Sequence, residues 1–402
     1  MEDIFRSFLL LKNYCEKEHF KGWDPYDGLN SKVLQVVPFL EKSALCRLII
    51  IQCFKKCPVN LRYIACVPKG YNAKGIGLFL SGYCNLYHII AKNPDLELQL
   101  GNKTDILNRI QELADLLIQL QSTGYSGACW GYNFDWQSRA FFLPKYTPTV
   151  VATSFVVEAL LCAYEITNNR RYLETAISAG DFITKDLNKI PKANEHMFSY
   201  SPLDDRAVYN ATLLGSKTLA LLYHYTNNMC FLTEARASVA AVCAQQNSDG
   251  SFPHSDQVGN KWRDNFHTGF KLESLAIYSY YCHDHNFDQN IINGYNYWIN
   301  NFFFKEKGVA KYYDNSSVNS IIDLHCVAQA IPTLYKLNKL KDNQDLCYRL
   351  LMWAIKNMQS YRGYFFFQKK GRHLNKIAYM RWPNAWMFYG MSYWLRFKHA
   401  DK

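Results

Sequence analysis

The densest cluster of potentially reactive side chains lies in the segment 246–275, where one helix ends and another begins. Its members are Trp262, Arg263, Asp264, Asn265 and His267. Imidazole exchanges protons near neutral pH, so His267 is the strongest candidate for acid/base chemistry. The free N–H groups at the start of the following helix would also favour an anion. Asp264 and Asn265 are, with equal weight, either catalytic groups or N-caps of that helix.

The other long loops carry comparable sets of aromatic and hydrogen-bonding side chains. From these loops the candidate binding residues are Trp130, Tyr132, Arg139, Tyr200, His325, Arg381 and Trp382, and segment 246–275 adds His254, Trp262 and Asn265. Flat apolar rings together with planar polar groups are typical of sites that bind sugars or carboxylates. The alternative is that the rings only pack the loops against the core. Asp135 is the next candidate carboxylate, unless it is merely a solvated loop residue.

Two glutamates occupy equivalent positions in otherwise apolar helices. Glu158 in TSFVVEAL and Glu273 in TGFKLESL both follow a threonine by five residues. A carboxylate in such a helix must face a central cavity or find a buried partner, because burying it unpaired is too costly. Both alternatives stay open from the sequence. The candidate catalytic set is His267, Asp264, Asp135, Glu273 and Arg263.

Helices of one kind recur along the chain and would position these groups. Six strongly apolar helices are expected to begin near 78, 151, 209, 267, 321 and 383, and the last five starts are separated by 58, 58, 54 and 62 residues. Each of the first five precedes a more amphipathic helix, and this alternation predicts two concentric rings. We therefore expect an all-α (α/α)6 toroid, a single domain over 1–402 with repeats over about 78–397 and N-terminal helices within 1–56 closing the ring.

The loops from outer to inner helices are long, whereas the return turns are short. In such a ring the long loops share one face, above a funnel whose floor is made by the N-termini of the inner helices. We expect functional residues on that face. Glycines inside three inner helices, Gly82, Gly215 and Gly269, predict close contacts between helices.

One spacing of glutamine, glycine and phenylalanine occurs twice, 113 residues apart. The two sets are Gln246, Gly250 and Phe252, and Gln359, Gly363 and Phe365. This resembles the glutamine and tryptophan motif of the terpene cyclase and prenyltransferase toroids, with Phe in place of Trp. In that family the motif ties helix ends together, so the resemblance implies a structural role here. No DxDD or other Asp-rich diphosphate motif accompanies it, so terpene chemistry is not carried over.

Composition argues against several other classes. The net charge of +11 is not concentrated in a basic arm or tail of the kind that binds nucleic acid. The thirteen cysteines include no CxxC pair, which indicates reduced thiols, and we expect neither a metal nor a cofactor. We find no membrane-spanning run and no signal peptide, so we expect a soluble cytoplasmic protein of undetermined oligomeric state.

Several stretches together resemble toroidal proteins found among bacterial surface-polysaccharide biosynthesis genes. They are KGWDPYDGLNS, WGYNFDWQSR and DGSFPHSDQ followed by NFHTGFKLESL. Some members of that group bear the name δ-aminolevulinic acid dehydratase, which this sequence does not support because it has no clustered cysteine zinc site and no alternating strands. WRDNFHTGFKLESL is also similar to the C-terminal toroid of glucuronyl C5-epimerases, which implies that Asp264 and His267 lie at a substrate cleft.

These features lead to one leading hypothesis and two rivals. The leading hypothesis is a carbohydrate-active protein of glycan biosynthesis that acts on an acidic sugar by epimerisation, β-elimination or hydrolysis. Hydrolysis needs two suitably separated carboxylates, and abstraction of a proton beside a carboxylate needs a basic side chain and an arginine to hold the acid. The rivals are a non-catalytic glycan-binding or assembly factor and, with less support, a terpene-cyclase-like enzyme.

Overall fold

The computed structural model describes residues 2–36, 42–138, 141–256, 262–317 and 320–400. Within these ranges the chain forms fifteen α-helices. In chain order they are α1 Glu2–Lys17, α2 Lys32–Gln35, α3 Ala44–Lys56, α4 Ala73–Lys92, α5 Glu97–Leu100, α6 Lys103–Gln119, α7 Val150–Thr167, α8 Arg170–Asp181, α9 Tyr209–Thr226, α10 Met229–Cys243, α11 Asn265–Cys282, α12 Asp288–Asn301, α13 Leu324–Lys336, α14 Gln344–Met358 and α15 Trp386–His399.

The remaining regular structure consists of short segments between the helices. The strands are β1 Trp136–Gln137, β2 Phe142–Leu143, β3 Lys189–Lys192, β4 Glu195–Phe198, β5 Phe303–Phe304, β6 Val309–Ala310, β7 Ile321–Asp323, β8 Gln368–Lys370 and β9 His373–Asn375. They pair antiparallel in the orders β1-β2, β3-β4, β5-β6 and β7-β8-β9. Short 3-10 helices span Asp27–Asn30, Pro94–Leu96 and Lys305–Lys307, and π-helical turns span Phe182–Asp186 and Met380–Ala385.

Twelve of the helices form two concentric rings. The inner ring consists of α4, α7, α9, α11, α13 and α15, in which each helix packs against the next and α15 packs back against α4. Behind these lie α6, α8, α10, α12, α14 and α1, which form the outer ring. The prediction of an all-α (α/α)6 toroid is confirmed.

Polar side chains mark where the inner helices begin. Asn72, Thr149, Asp264 and Asp323 each accept a hydrogen bond from a backbone N–H in the first turn of α4, α7, α11 and α13. Such caps satisfy N–H groups that have no partner within the helix. Because the residues that follow are apolar on nearly every side, these helices are stabilised by burial within the ring.

The predicted starts of the inner helices lie within three residues of the observed ones at five of six positions. The exception is α4, which was expected near 78 but begins at Ala73. Its first five residues include two glycines, which lower helix propensity, yet Lys74 and its neighbours are buried. Tertiary packing therefore extends this helix beyond its apolar stretch.

The predicted close approach of inner helices at glycines is confirmed. A Cβ atom on Gly82 would lie 2.5 Å from the Phe388 ring, across the contact between α4 and α15. A Cβ atom on Gly269 would lie 3.0 Å from Thr333 Oγ1, between α11 and α13. Any larger side chain would force these helices apart.

The repeated glutamine links neighbouring outer helices, as the resemblance implied. The Gln246 side-chain amide donates to the carbonyl oxygens of Gly250 and Asn290, both at 2.9 Å. Its counterpart Gln359 donates to the carbonyl oxygen of Ser7 at 3.0 Å, and Ser7 Oγ donates to Gln359 Oε1 at 2.6 Å. Because Ser7 lies in α1 and Gln359 directly follows α14, this second link closes the outer ring.

The two N-terminal helices expected to close the ring have different positions. Helix α1 fills the outer position beside α15. Helix α3 instead lies against the long loops, where Arg47 Nε donates to Gln137 Oε1 at 2.9 Å and Lys55 Nζ to Tyr26 OH at 2.8 Å. We call residues 32–69, of which 32–36 and 42–69 are described, the cap.

Helix α7 is, among the described residues, the one helix long and apolar enough to cross a membrane by length and composition. It packs between α4 and α9 in the inner ring, and 67% of its apolar window is buried. These are the properties of a core helix.

Replacement of Gln359 by leucine should destabilise the protein, because it removes the link between the ends of the chain and leaves the buried Ser7 hydroxyl without its acceptor. The expected loss in the free energy of unfolding, measured by urea denaturation, is about 1–3 kcal/mol. The matched control is Gln289→Leu, because Gln289 is exposed. The control should change stability by less than about 0.5 kcal/mol, and equal effects of the two substitutions would argue against the closure.

Candidate functional site

The long loops and the N-terminal ends of the inner helices meet on one side of the ring, which we call the loop face. Four basic side chains come together at its centre. They are Lys74 from α4, His267 from α11, His325 from α13 and Arg381 from the π-helical turn before α15. We call them the basic cluster, and the surrounding side chains are described outward from it.

His267 and Asp264 form a hydrogen-bonded pair at the start of α11. Asp264 Oδ1 accepts the backbone N–H of His267 at 3.1 Å, and Asp264 Oδ2 lies 2.7 Å from His267 Nδ1. The Asp264 side chain is buried, whereas 23% of the His267 side chain is exposed. Since a carboxylate can only accept, Nδ1 carries the proton and Nε2 is left to exchange one. Asp264 therefore caps the helix and orients the imidazole at once.

An aromatic platform, formed by His254, Trp262 and Tyr313, lies beside His267. The His254 and Trp262 rings stack with their centroids 3.9 Å apart, and the His254 ring is 5.2 Å from His267. Tyr313 meets Trp262 edge-on at 6.0 Å, and both are more than one-third exposed. Burial, followed by the positive fields of His267 and Lys271, lowers the pKa of His254 to about 2. His254 is thus a neutral stacking partner.

His325 is enclosed by aromatic rings. It stacks on Phe266 at 4.3 Å and lies 4.2 Å from Trp386 and 4.9 Å from Trp382, measured between centroids. Neither ring nitrogen has a hydrogen-bond partner among the described residues. Burial, together with the charges of the other three members of the basic cluster, holds the pKa of His325 well below its ordinary value.

Lys74 lies at the bottom of the basic cluster with only 4% of its surface exposed. Its ammonium nitrogen is 4.3 Å from the centroid of Phe155, 5.1 Å from that of Phe270 and 5.3 Å from that of Trp386. Within the described ranges no carboxylate pairs with it. Burial, and then the charges of Arg381 and Lys217, lower the pKa of Lys74 well below its ordinary value. Lys74 is therefore a basic group without a counter-ion.

Arg381, in contrast, is fully paired. Its Nε and Nη2 donate to the two carboxylate oxygens of Asp24 at 2.5 and 2.8 Å, and both side chains are buried. The guanidinium lies 5.2 Å from the ring of Tyr132 and 5.0 Å from that of Trp382. Burial opposes the charge, but Asp24 outweighs it and raises the pKa of Arg381. The pair fixes the N-terminal segment to the floor of the site.

Two further predicted binding residues join the first two long loops. The hydroxyls of Tyr132 and Tyr200 are 3.0 Å apart, and burial raises the pKa of Tyr200 well above its ordinary value.

Trp382 Nε1 donates to Asp323 Oδ1 at 2.9 Å. Asp323 caps α13, so one carboxylate again both starts a helix and holds a ring of the site.

Two of the predicted binding residues lie in the core instead. Trp130 has no exposed surface, and its indole N–H donates to the carbonyl oxygen of Leu117 at 2.7 Å. Asn265 is equally buried, donates to the carbonyl oxygen of Lys311 at 3.0 Å and accepts from Trp298 at 2.8 Å. Neither can touch a ligand on the loop face, because packing within the ring covers both.

Three other candidates have structural contacts or fall outside the description. Arg263 Nε donates to Asp314 Oδ2 at 2.5 Å, so its charge is already compensated. Asp135 Oδ1 accepts the backbone N–H of Lys145 at 2.7 Å and organises its own loop. Arg139 lies outside the described residues.

Glu273 and Glu158 belong to a buried ion network below the basic cluster, on the axis of the ring. Lys217 Nζ lies 2.7 Å from Glu158 Oε2 and 3.4 Å from Glu273 Oε1. Lys336 Nζ contacts Glu158 and lies 2.8 Å from Glu273 Oε1. Gln329 Nε2 donates to the other oxygen of Glu273 at 3.1 Å. Of the two alternatives considered, the structure has the buried partner, and Glu273 is not free to act on a ligand.

Two members of the site are not singled out by the sequence. Lys74 is hidden in a stretch, AKGIGLFL, that reads as an apolar helix start. Asp24 lies in KGWDPYDGLNS, where its pairing with Arg381, 357 positions away, leaves no local signal. The one sequence signal for Lys74 is that a charged residue stands in an apolar helix, where burying it without a partner is costly. The same argument singled out Glu158 and Glu273.

Within the described part of the chain, no group of three or more His, Cys, Asp or Glu side chains could hold a metal ion. The carboxylates at the centre of the loop face are all engaged by neighbours, Asp24 by Arg381, Asp264 by His267 and Asp323 by Trp382. The groups left for a ligand are therefore basic and aromatic.

No protein-family model and no curated protein sequence matches this chain. Its structure is similar to an unsaturated glucuronyl hydrolase specific for heparin, with a TM-score of 0.62 and 11% identity over 99% of this chain and 97% of that one. It is also similar to cellobiose 2-epimerase from Bacillus thermoamylovorans (TM-score 0.58, 13% identity, 81% and 89% of the two chains). A GH76 alpha-mannanase from Bacteroides thetaiotaomicron scores 0.59 with 13% identity over 81% and 86%. Fold and site thus define an (α/α)6 toroid with a basic, aromatic loop face.

Substitution of Lys217 by methionine should destabilise the protein strongly, because it leaves two buried carboxylates with one remaining ammonium group. The expected loss is about 3–5 kcal/mol in the free energy of unfolding, measured by urea denaturation. The double variant Lys217→Met/Glu158→Gln removes one charge of each sign and should be less destabilised than Lys217→Met alone. Additive losses would show that the four groups do not form one network.

The stability conferred by Glu158 should depend on pH. Burial alone would raise its pKa, but Lys217 and Lys336 outweigh burial and lower the pKa of Glu158 from 4.5 to about 2. A carboxylate whose pKa is lowered by folding stabilises the fold above the unfolded value and loses this effect as pH falls. The stability difference between wild type and Glu158→Gln should therefore be full at neutral pH and shrink between pH 4.5 and about 2. The exposed control Glu174→Gln should show only a small difference at every pH.

Proposed function

We propose that the protein is a carbohydrate-active enzyme of glycan or surface-polysaccharide biosynthesis, which moves a proton at a carbon atom of an acidic sugar. Epimerisation or β-elimination would be the outcome. The observation that carries the proposal is the pair of Asp264 and His267, in which a buried carboxylate holds Nδ1 at 2.7 Å while part of the imidazole stays exposed.

In this proposal, His267 is the catalytic base and Asp264 is a positioning residue. Nε2 accepts the proton from the carbon next to the sugar carboxylate, and the bonding electrons move into that carboxylate as an enediolate. The buried Asp264 stabilises the imidazolium that forms. β-Elimination then expels the group on the neighbouring carbon. Epimerisation returns a proton to that carbon from its other face, and in this proposal the hydroxyls of Tyr132 and Tyr200 are the candidate donors.

An acidic substrate is favoured by the surplus of basic groups at the centre of the loop face. Arg381 is neutralised by Asp24, but Lys74 has no counter-ion among the described residues. A sugar carboxylate placed near Lys74 would provide the negative charge that this side chain lacks, and would favour its ammonium form. The platform of His254, Trp262 and Tyr313 offers flat apolar rings for the face of a sugar.

The state of the carboxylates disfavours the hydrolysis alternative. A glycosidase of the usual kind uses one carboxylic acid and one carboxylate on either side of the scissile bond. Asp24, Asp264 and Asp323 are each bonded to a fixed partner. Charged and imidazole groups at the floor likewise differ from the dry cavity that a terpene-cyclase-like enzyme would need.

The structural neighbours lend support of a coarser kind. They include a cellobiose 2-epimerase and a glucuronyl hydrolase, and at 13% and 11% identity they share the fold alone. The reaction at this site therefore has to be tested on the protein itself.

Incubation with uronic-acid glycans in heavy water should incorporate deuterium at the carbon next to the carboxylate or yield an unsaturated uronate. His267→Ala should lower this rate by about 10²–10⁴-fold, because it removes the base. Asp264→Asn should also lower it, because the imidazole loses its orienting carboxylate. The matched control is His285→Ala, since His285 forms an exposed His–Asp pair with Asp288 at the opposite end of α11. If every uronate glycan yields neither deuterium incorporation nor an unsaturated product, the proposed chemistry is ruled out.

A non-catalytic glycan-binding role has one specific observation in its favour, the exposed platform around Trp262. Calorimetric titration with the same glycans distinguishes the two roles. For an enzyme, His267→Ala should bind glycan nearly as well as wild type while losing turnover. For a binding factor, Trp262→Ala should abolish pathway output in cells, whereas His267→Ala should leave it intact.

A further inference from the structure

The cap holds a disproportionate share of the charge of the chain. Residues 32–69 contain seven Lys and Arg residues and a single acidic one, a net charge of +6 out of +11 for all 402 residues. Arg62 is buried and paired with Asp27 at 2.6 Å. Lys32, Lys42 and Lys56 are exposed. Lys69 is also exposed but forms an ion pair with Glu18 at 2.5 Å, so three exposed lysines without such a pair among the described residues lie at the surface of one small substructure.

The same substructure exposes large apolar side chains. In α3, Leu45 and Ile49 are one turn apart and 65% and 52% exposed. The segments on either side of α3 expose further apolar side chains to a similar or greater degree. These are Val33, Val36, Val59, Tyr63 and Ile64. Exposed apolar side chains grouped in this way mark an interaction surface, whereas isolated ones do not.

An open groove of about 620 Å³ runs along the outer side of α3. Its walls are almost entirely apolar side chains, and Lys56 lies at one end. The residues that line the groove are Leu48, Ile49, Gln52, Cys53, Lys56, Cys57 and Leu61. The opposite side of α3 buries Ile51 and Phe54. The helix is thus apolar on two sides, and only one of them is covered by the described protein.

The cap is attached to the segment around Asp24 and to Tyr379. Arg62 donates to the carbonyl oxygen of Asp24 at 2.7 Å and to Tyr379 OH at 3.0 Å. Ser31 Oγ donates to the carbonyl oxygen of Ala65 at 2.7 Å. These contacts fix the C-terminal part of the cap, and the hydrogen bond from Arg47 to Gln137 holds α3 against the first long loop.

We propose that this outer surface of the cap docks on an anionic phospholipid bilayer. A surface helix with apolar side chains among lysines lies in the headgroup region, where hydrocarbon and negative charge are both within reach. A second copy of the chain fits less well, because a symmetric dimer would bring the exposed lysines Lys32, Lys42 and Lys56 of two caps together. The inference is independent of the proposed reaction and would place the loop face beside the membrane.

The test is flotation of the full-length protein with vesicles of phosphatidylcholine, with and without phosphatidylglycerol. The protein should float with the anionic vesicles, and added salt should weaken the binding. Lys42→Glu/Lys56→Glu should reduce the affinity by at least about tenfold, since each lysine near the surface contributes about fivefold. Leu45→Ser/Ile49→Ser should also reduce it by about tenfold or more.

The control is Leu98→Ser/Lys341→Glu, which changes an apolar residue that is 97% exposed and a lysine, both outside the cap. It should bind like wild type. Equal binding of the control and the cap variants would overturn the proposal, as would equal binding to neutral vesicles or none to anionic ones. A dimer in size-exclusion chromatography that Leu45→Ser/Ile49→Ser dissociates, without vesicle binding, would assign the surface to a second copy instead.

Discussion

A ring of six helices encloses an axis that no helix occupies, and filling this axis is the constraint on which the rest of the structure depends. Here the middle of the ring is filled by charge. Lys217 and Lys336 bridge two glutamates from opposite sides, and three of the four side chains are less than 11% exposed. Burying a single charge would cost several kcal/mol, so the four charged groups are stable in the core only together. Above this network, the aromatic side chains of Phe155, Phe270 and Trp386 pack against one another and close the axis.

This filling decides where chemistry can take place. With the axis closed to the level of Lys74, a ligand can reach only the first turns of the inner helices and the loops above them. Four of those turns begin at capping side chains, and the two carboxylates among these caps hold a second group as well. Asp264 orients His267, and Asp323 holds the Trp382 indole. The His267 imidazole and the Trp382 indole are therefore held by the same carboxylates that start α11 and α13.

The ring of helices can be predicted from the sequence because local sequence patterns determine it. Apolar helices recur at nearly constant spacing, and the glutamine motif recurs after two of the outer helices, so architecture follows from period and hydrophobicity. The site is less predictable because its decisive contacts are not local. Trp130 and Trp262 look alike in sequence, yet one is fully buried and the other is 36% exposed. The partner of Glu273, Lys217, lies 56 positions away in another helix. Only the packed ring decides which charges are paired and which, like Lys74, are not.

The unpaired Lys74 has a consequence for the proposed reaction. Burial favours its neutral form, and a bound carboxylate would favour the charged one, so binding an acidic sugar would take up a proton. Lower pH would then tighten binding. Proton abstraction needs the opposite condition, because His267 must be neutral to act as a base. The neighbouring His325, whose pKa is lowered by burial among aromatic rings, would add no further positive charge beside Lys74.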